Sequence, residues 1–294
     1  MHYSDGAYWR PLFEQTGAML QVAQGCSHNQ CKFCTMFKGS SFSVSPEDEV
    51  RADIAELAAS PWGGSDRVFL TGGNAFCLPA SRLCDVVEQV RTAMPAVRTV
   101  GCFARIEDVA RKSDDELREL ARLGVSSISI GAESGFDEAL TFMRKGHSAA
   151  DIVAQCARLD DAGIAYDLFY LAGIAGAGRY GENVRATVEA FGHVHPERIM
   201  VHTLTLFPGA PLEKDVESGA FVPSSETDIL RELRLLVELL RNETYILAAH
   251  IGNTAPFNAF VPQQRDQVLA YLDAKIANAD EGRLAYFRSH QTSM

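Results

Sequence analysis

Three observations predict an α/β fold of parallel strands: six strand-like runs, helical segments between them, and a length of 294 residues. Alternating β and α segments imply parallel strands joined by right-handed crossovers. The length exceeds the roughly 100–200 residues usual for one domain but suits a single α/β barrel. With 47% hydrophobic and 22% charged residues, the chain can build a large core.

The strand-like runs are 18–23, 67–71, 97–103, 126–130, 166–172 and 198–206, rich in β-branched and apolar residues. A first helix follows Ser45-Pro46-Glu47-Asp48, where Ser45 suits the cap and Pro46 the first helical position. It places Val50, Ile54 and Leu57 on one face. Further helices are expected at 79–94, at 114–123 behind the capping box Ser113-Asp114-Asp115-Glu116, at 149–162 and at 182–193. Gly124 and Gly163 are expected to end helices in the left-handed conformation. The tail differs in kind: a helix at 227–242, an apolar strand-like piece at 245–249, a loop, and a helix at 263–277.

Six units can close as an open doubly wound sheet or as a partial barrel, and are too few for eight strands unless the tail contributes. The expectation is a partial (β/α)6 TIM-like barrel with a C-terminal α-rich extension. The Gly- and Pro-containing stretch 208–223 marks the boundary, giving a core over 1–212 and an extension over 213–294 that covers the barrel edge and cavity.

The net charge is −11, with 27 Lys and Arg against 38 Asp and Glu. A field of that sign repels phosphate backbones and anionic lipids, so nucleic acid is disfavoured as a partner, and a local basic patch stays open. The start Met1-His2-Tyr3-Ser4-Asp5 lacks a basic stretch followed by an apolar one, and the apolar run at 168–178 is far shorter than the ~20 residues a spanning helix needs. A cytoplasmic location and no membrane partner are expected. Seven cysteines, three of them within nine residues, are not spaced as a disulfide framework.

Those three form the strongest signal. Cys26-Ser27-His28-Asn29-Gln30-Cys31-Lys32-Phe33-Cys34 is a C-x4-C-x2-C run at the C-terminal end of the first strand, where parallel α/β folds carry their active sites. Three thiolates on one loop can hold three corners of an iron–sulfur cubane and leave one iron open. Structural zinc is the competing reading; it needs a fourth ligand, which His28 could supply.

The cysteine loop, with aromatic Phe33 before its last Cys, and the β/α repeats after it resemble the radical S-adenosylmethionine (radical SAM) superfamily. The majority spacing there is C-x3-C-x2-C, so this loop carries one extra residue. Further motifs over about 17–212 extend the resemblance, each weak singly and specific in their order. Thr71-Gly72-Gly73-Asn74 looks like the glycine pair that binds the methionine amino group, with Asn74 where the family commonly has Glu. Gly131-Ala132-Glu133-Ser134-Gly135 looks like the ribose and methionine station, with Glu133 accepting from ribose hydroxyls. Lys145 sits where the family often has a cation for the methionine carboxylate. Ala172-Gly173-Ile174 resembles the adenine station, and 204–212, including Leu206, the sixth-strand ending.

The resemblance implies a [4Fe–4S] cluster on Cys26, Cys31 and Cys34, and S-adenosylmethionine held by Phe33, Gly72, Gly73, Asn74, Glu133, Ser134, Lys145, Gly173 and Leu206. It implies an oxygen-sensitive enzyme that cleaves S-adenosylmethionine reductively to a 5′-deoxyadenosyl radical, which abstracts hydrogen from a small-molecule substrate. An electron donor such as flavodoxin or ferredoxin is the implied partner. Substrate-pocket candidates are Tyr170, His202, His250 and Asn253, each of which could instead be a satisfied core residue. Cys77, Cys84, Cys102 and Cys156 have no metal-like spacing; Cys102 could face the interior and donate a hydrogen atom, although core packing is the simpler reading. No second cysteine cluster is present, and within these 294 residues no RNA-binding, acyltransferase or cobalamin-binding domain is expected. A silent relative, acting as a haem-binding chaperone or iron–sulfur redox sensor, is the alternative.

Overall fold

The structure, a computed structural model, describes residues 10–14 and 17–291. The start Met1–Asp5, read above for export signals, lies outside the described residues. In chain order the elements are β1 (Ala18–Gln21), β2 (Ala23–Gln24), β3 (Ser43–Val44), α1 (Glu47–Ala59), β4 (Arg67–Thr71), α2 (Ala80–Ala93), β5 (Thr99–Ala104), α3 (Ile106–Ala110), α4 (Asp114–Arg122), β6 (Ile128–Glu133) and α5 (Asp137–Phe142). There follow α6 (Ala149–Ala162), β7 (Tyr166–Ala172), α7 (Tyr180–Phe191), β8 (Arg198–Thr203), α8 (Leu212–Glu217), α9 (Glu226–Leu239), β9 (Thr244–Leu247), β10 (Asn258–Val261), α10 (Arg265–Ala277) and α11 (Glu281–Ser289).

Eight strands form one sheet in the order β1-β4-β5-β6-β7-β8-β9-β10. The pairs β1/β4, β4/β5, β5/β6 and β8/β9 are parallel, and β9/β10 is antiparallel. This mostly parallel α/β sheet with β1 and β10 at its two ends is the predicted partial barrel. The tail lengthens it by two strands: β9 joins β8 and β10 caps the series.

The chain divides into two compact units. One takes the described residues up to Asn29, then Met36–Gly131 and Arg158–Asp167; the other takes Gln30–Thr35, Ala132–Ala157 and Leu168 onward. In the first, Leu20, Val68, Phe69 and Leu70 of β1 and β4 are buried together with Val86, Val87 and Val90 of α2. Phe69 meets Phe103 edge-on, ring centroids 5.2 Å apart, a favoured aromatic geometry. In the second, Leu140, Met143, Leu171, Ile174 and Leu212 are buried, and α9 turns Ile229, Leu233, Leu236 and Val237 inward at helical spacing.

Local signals act as the residues dictate, with one correction. Ser113 accepts from the Glu116 N–H while Glu116 reaches back to the Ser113 N–H, closing the capping box that starts α4. Gly124 (φ +95°) and Gly163 (φ +75°) take the left-handed conformation after α4 and α6. Ser45, however, does not cap α1, and Pro46 is not its first helical residue. Pro46 itself occupies the cap with no side-chain bond, and the Ser45 N–H donates to Val22 O at 3.0 Å. Pairing with the first strand's extension claims Ser45. No helix among the described residues is long and apolar enough to cross a membrane.

Candidate active site

The three cysteines lie on the loop between β2 and β3, partly buried and in no disulfide. Its first part belongs to the first unit and is built around Cys26. The Gly73 N–H donates to Gly25 O at 2.7 Å. A Cβ on Gly73 would stand 2.6 Å from Gly25 O and 2.7 Å from both Cys26 Cα and Cys26 Cβ, so only glycine lets the cysteine backbone come this near. Gly72 takes φ +136°, which again favours glycine.

Asn74 is buried, and its amide is spent on this loop. Its Oδ1 accepts from the Ser27 N–H at 2.9 Å, and its Nδ2 donates to Ser27 Oγ and to Asp108 Oδ2, each at 2.8 Å. The Arg105 N–H also donates to Asp108 Oδ2, at 2.9 Å. Asn74 therefore fixes the residue beside Cys26. Burial pushes the Asp108 carboxyl up, opposed by these hydrogen bonds. Thr71 Oγ1, at the end of β4, and Asp108 Oδ1, on α3, are buried without a hydrogen-bond partner. Cys77, hydrogen-bonded to Ser27, is pushed up to about 11 and Cys102 to about 12, both chiefly by burial. Thiols so raised stay protonated and are poor metal ligands or nucleophiles.

The second part of the loop, with Cys31 and Cys34, belongs to the other unit and is pinned at Lys32. The Lys32 N–H donates to Met143 O at 3.1 Å, and its carbonyl accepts from the Leu212 N–H at 2.9 Å. Its ammonium pairs with Asp215 at 3.0 Å and stands 3.8 Å from the centre of the Phe142 ring. Phe33 packs against the apolar cluster of Met143, Leu171, Ile174, Leu212 and Phe221.

At the end of β6, Glu133 is held at φ +68°, a left-handed conformation costing a non-glycine residue of order 1–3 kcal/mol. Strain of this kind persists where the surroundings impose it, most often at functional sites. Lys145, buried, reaches Glu133 Oε1 at 3.2 Å. Ser134 is buried, Gly173 takes φ +84° directly after β7, and Leu206 is exposed beyond β8.

The substrate-pocket candidates divide into two kinds. His202 and His250 meet with ring centroids 4.4 Å apart and planes tilted by 34°, and Phe169 abuts His202 edge-on at 5.3 Å. Burial, then the neighbouring imidazole, pushes His202 down to about 3, and burial lowers His250, so both rings are neutral. The Gly252 N–H donates to His250 Nδ1 at 3.1 Å, which leaves the proton on Nε2 and makes that nitrogen a donor. Tyr170 and Asn253 are fully engaged instead. Tyr170 is buried and donates to Glu232. Asn253 accepts from Thr203 Oγ1 at 2.9 Å and donates to Val201 O and Ala248 O at 2.7 and 2.8 Å, so it fixes the loop after β9.

Sequence reasoning missed Arg288 of α11. All five of its N–H donors are used: two on Glu226 (2.8 and 2.9 Å), two on Thr205 (3.1 Å) and Thr254 (2.8 Å), and one on Gly252 O. It ties the loop bearing His250 to the end of β8. Arg288→Ala is expected to cost about 3–5 kcal/mol by leaving the Glu226 carboxylate buried without its cation, and to speed amide exchange at 250–254 more than elsewhere. Hydrogen exchange reads both; unchanged protection there would remove Arg288 from this role.

The donor set suits an iron–sulfur cluster. Among the described residues no three His, Cys, Asp or Glu side chains gather as a metal-ion site, whereas three thiolates on separate irons of a cubane need not converge.

Comparison with known proteins bears on the family and the fold. The Radical SAM superfamily matches residues 20–191. No curated protein matches the chain. Methylornithine synthase superposes with a TM-score of 0.56 at 17% identity, over 87% of this chain and 68% of its own. Coproporphyrinogen III oxidase from Escherichia coli gives 0.57 at 15%, over 76% and 52%. A radical S-adenosylmethionine methyltransferase from Kitasatospora setae, with cobalamin and a [4Fe–4S] cluster bound, gives 0.56 at 20%, over 69% and 39%. The chain thus spans about two fifths of that methyltransferase and half of the oxidase. With the family matched over more than half of its length, the chain belongs to the radical SAM superfamily.

Proposed function

We propose that this chain is a radical SAM enzyme whose Cys26, Cys31 and Cys34 hold a [4Fe–4S] cluster and whose strand ends hold S-adenosylmethionine for reaction with a small polar molecule. The carrying observation is the cysteine loop itself: three cysteines on one loop, none of them in a disulfide, with Ser27 beside the first and Lys32 beside the second fixed by side-chain and backbone hydrogen bonds. When bound and reduced, the superfamily's cofactors supply a 5′-deoxyadenosyl radical that removes a hydrogen atom from a substrate.

The residues divide the remaining work. Gly72 and Gly73 let the backbone approach the cofactor's methionine end, and Asn74 acts by holding the Cys26 loop rather than by touching that group. Glu133 accepts from ribose hydroxyls and Lys145 pairs with the methionine carboxylate. Phe33, Gly173 and Leu206 shape the adenine side and exclude water, which strengthens these polar contacts. His250 offers an N–H to the substrate and His202 a second neutral imidazole. The core over 1–212 binds the cofactors, the extension over 213–294 walls the substrate, and a flavodoxin or ferredoxin supplies the electron.

The test is anaerobic: protein with reconstituted cluster, S-adenosylmethionine, a reductant and a metabolite extract. The expected result is slow 5′-deoxyadenosine release alone and faster release with the extract, with a compound consumed in parallel. Haem binding with no 5′-deoxyadenosine under either condition would favour a silent relative instead.

A further inference from the structure

We propose that Glu232, with Asn183 and Tyr170, forms a buried positioning network through which the C-terminal extension sets the affinity for S-adenosylmethionine. The inference rests on the reading that Ser134 and Gly173 stand against that cofactor.

Glu232 lies on α9 and is 1% exposed. Its Oε1 accepts from Tyr170 Oη at 2.5 Å and Asn183 Nδ2 at 2.7 Å, and its Oε2 from the Gly173 N–H at 2.9 Å. Asn183 Nδ2 also donates to Tyr170 Oη at 2.9 Å, so both amide hydrogens are used. On its other side, Asn183 Oδ1 accepts from Ser134 Oγ at 2.5 Å, and Ser134 Oγ accepts from the Phe136 N–H at 2.8 Å. One turn along α7, Thr187 Oγ1 accepts from the Gly135 N–H at 2.8 Å and donates to Asn183 O at 2.7 Å. A Cβ on Gly135 would stand 2.6 Å from Ala186 O, so α7 lies directly on this turn. One carboxylate thereby governs the turn after β7 directly and the turn after β6 through Asn183.

Packing alone does not call for such a group, because a buried carboxylate is costly unless every lone pair is well met. Here the donors are the backbone of one cofactor station and a side chain bonded to the other. Tyr170 on β7 and Asp228 on α9 are the titratable groups that face Glu232, and burial pushes it up to about 7 against the pull of its three donors. A glutamine at 232 keeps the shape but carries a donor of its own. It must oppose either the Gly173 N–H or the Tyr170 and Asn183 donors, so one station has to shift.

The experiment uses the anaerobically reconstituted full chain and compares wild type with Glu232→Gln and Tyr170→Phe. Iron per chain, the dissociation constant for S-adenosylmethionine by calorimetry, and the electron paramagnetic resonance spectrum of the reduced cluster at saturating cofactor are measured. The expected result is wild-type iron and the wild-type saturated spectrum, with a dissociation constant raised about tenfold by Glu232→Gln and less by Tyr170→Phe. Should Glu232→Gln not fold, Tyr170→Phe, which leaves the carboxylate two donors, decides alone. Unchanged constants, or affinity lost in step with iron, would overturn the network. A wild-type protein that binds its cluster but no S-adenosylmethionine would instead overturn the proposed function beneath it.

Discussion

Replacing any one of Cys26, Cys31 and Cys34 with serine is expected to remove most of the iron from the anaerobically purified protein, from about four irons per chain to well below one, and to abolish 5′-deoxyadenosine formation. A cubane held by two thiolates has two irons without protein ligands and is readily lost. The loop cannot slide another residue into place while Ser27 is bonded to Asn74 and Lys32 to Met143, Leu212 and Asp215. The sharpest control is Cys77, whose thiol bonds to Ser27 beside the loop yet is kept protonated by burial. Cys77→Ser is expected to keep its iron. Iron loss from Cys77→Ser equal to that from the loop variants would show a different ligand set.

Gly73→Ala is the second severe change expected. The obstacles to its methyl are Gly25 O, Cys26 Cα and Cys26 Cβ at 2.6–2.7 Å, backbone or the first side-chain atom rather than the tip of a flexible chain. Nothing there can swing aside, so either β4's turn or the cysteine loop must move and the Gly73 N–H to Gly25 O bond goes with it. Overpacking of this kind costs about 1–3 kcal/mol, and in a protein of this size each kcal/mol lowers the melting temperature by about 2–4 °C. The displaced part is the first cysteine, so iron retention should fall further than stability. Gly181→Ala is the matched control: a Cβ there meets nothing within 4 Å and lies near the start of α7, so melting and iron content should match wild type. Equal behaviour of the two alanine variants would contradict the close approach.

What the sequence made legible was what short-range chemistry specifies. The ends of β4, β7 and α6 follow from apolar runs bounded by turn residues, and the Ser113 box and the two glycine caps act within a few residues. The cysteine triad is visible because its ligands share one loop. Hidden features depend on distant partners. β10 carries an exposed Asn258 and is followed by Pro262, and it is a strand because β9 offers it an edge. Helix α11 buries no residue through its apolar face, and its weight lies in Arg288, whose partners sit 34 to 83 positions away. Glu232 and Gly173 are 59 positions apart, and no local pattern marks a glutamate on a helix as the partner of a strand-end amide. For the same reason the sequence leaves Asn253 and Tyr170 between a ligand-facing and a satisfied core role, and folding gives each its protein partners. His202 and His250 come together only through the pairing of β8 with β9.

The central claim is a three-cysteine cluster whose open iron receives S-adenosylmethionine. Its most direct test is the electron paramagnetic resonance spectrum of the anaerobically reduced protein, recorded before and after S-adenosylmethionine is added. The predicted result is a [4Fe–4S] signal whose g-values shift on addition, because an iron that no cysteine holds would be open to the added cofactor. A cluster signal that S-adenosylmethionine leaves unchanged at saturating concentration, or a colourless protein with stoichiometric zinc, would contradict the account.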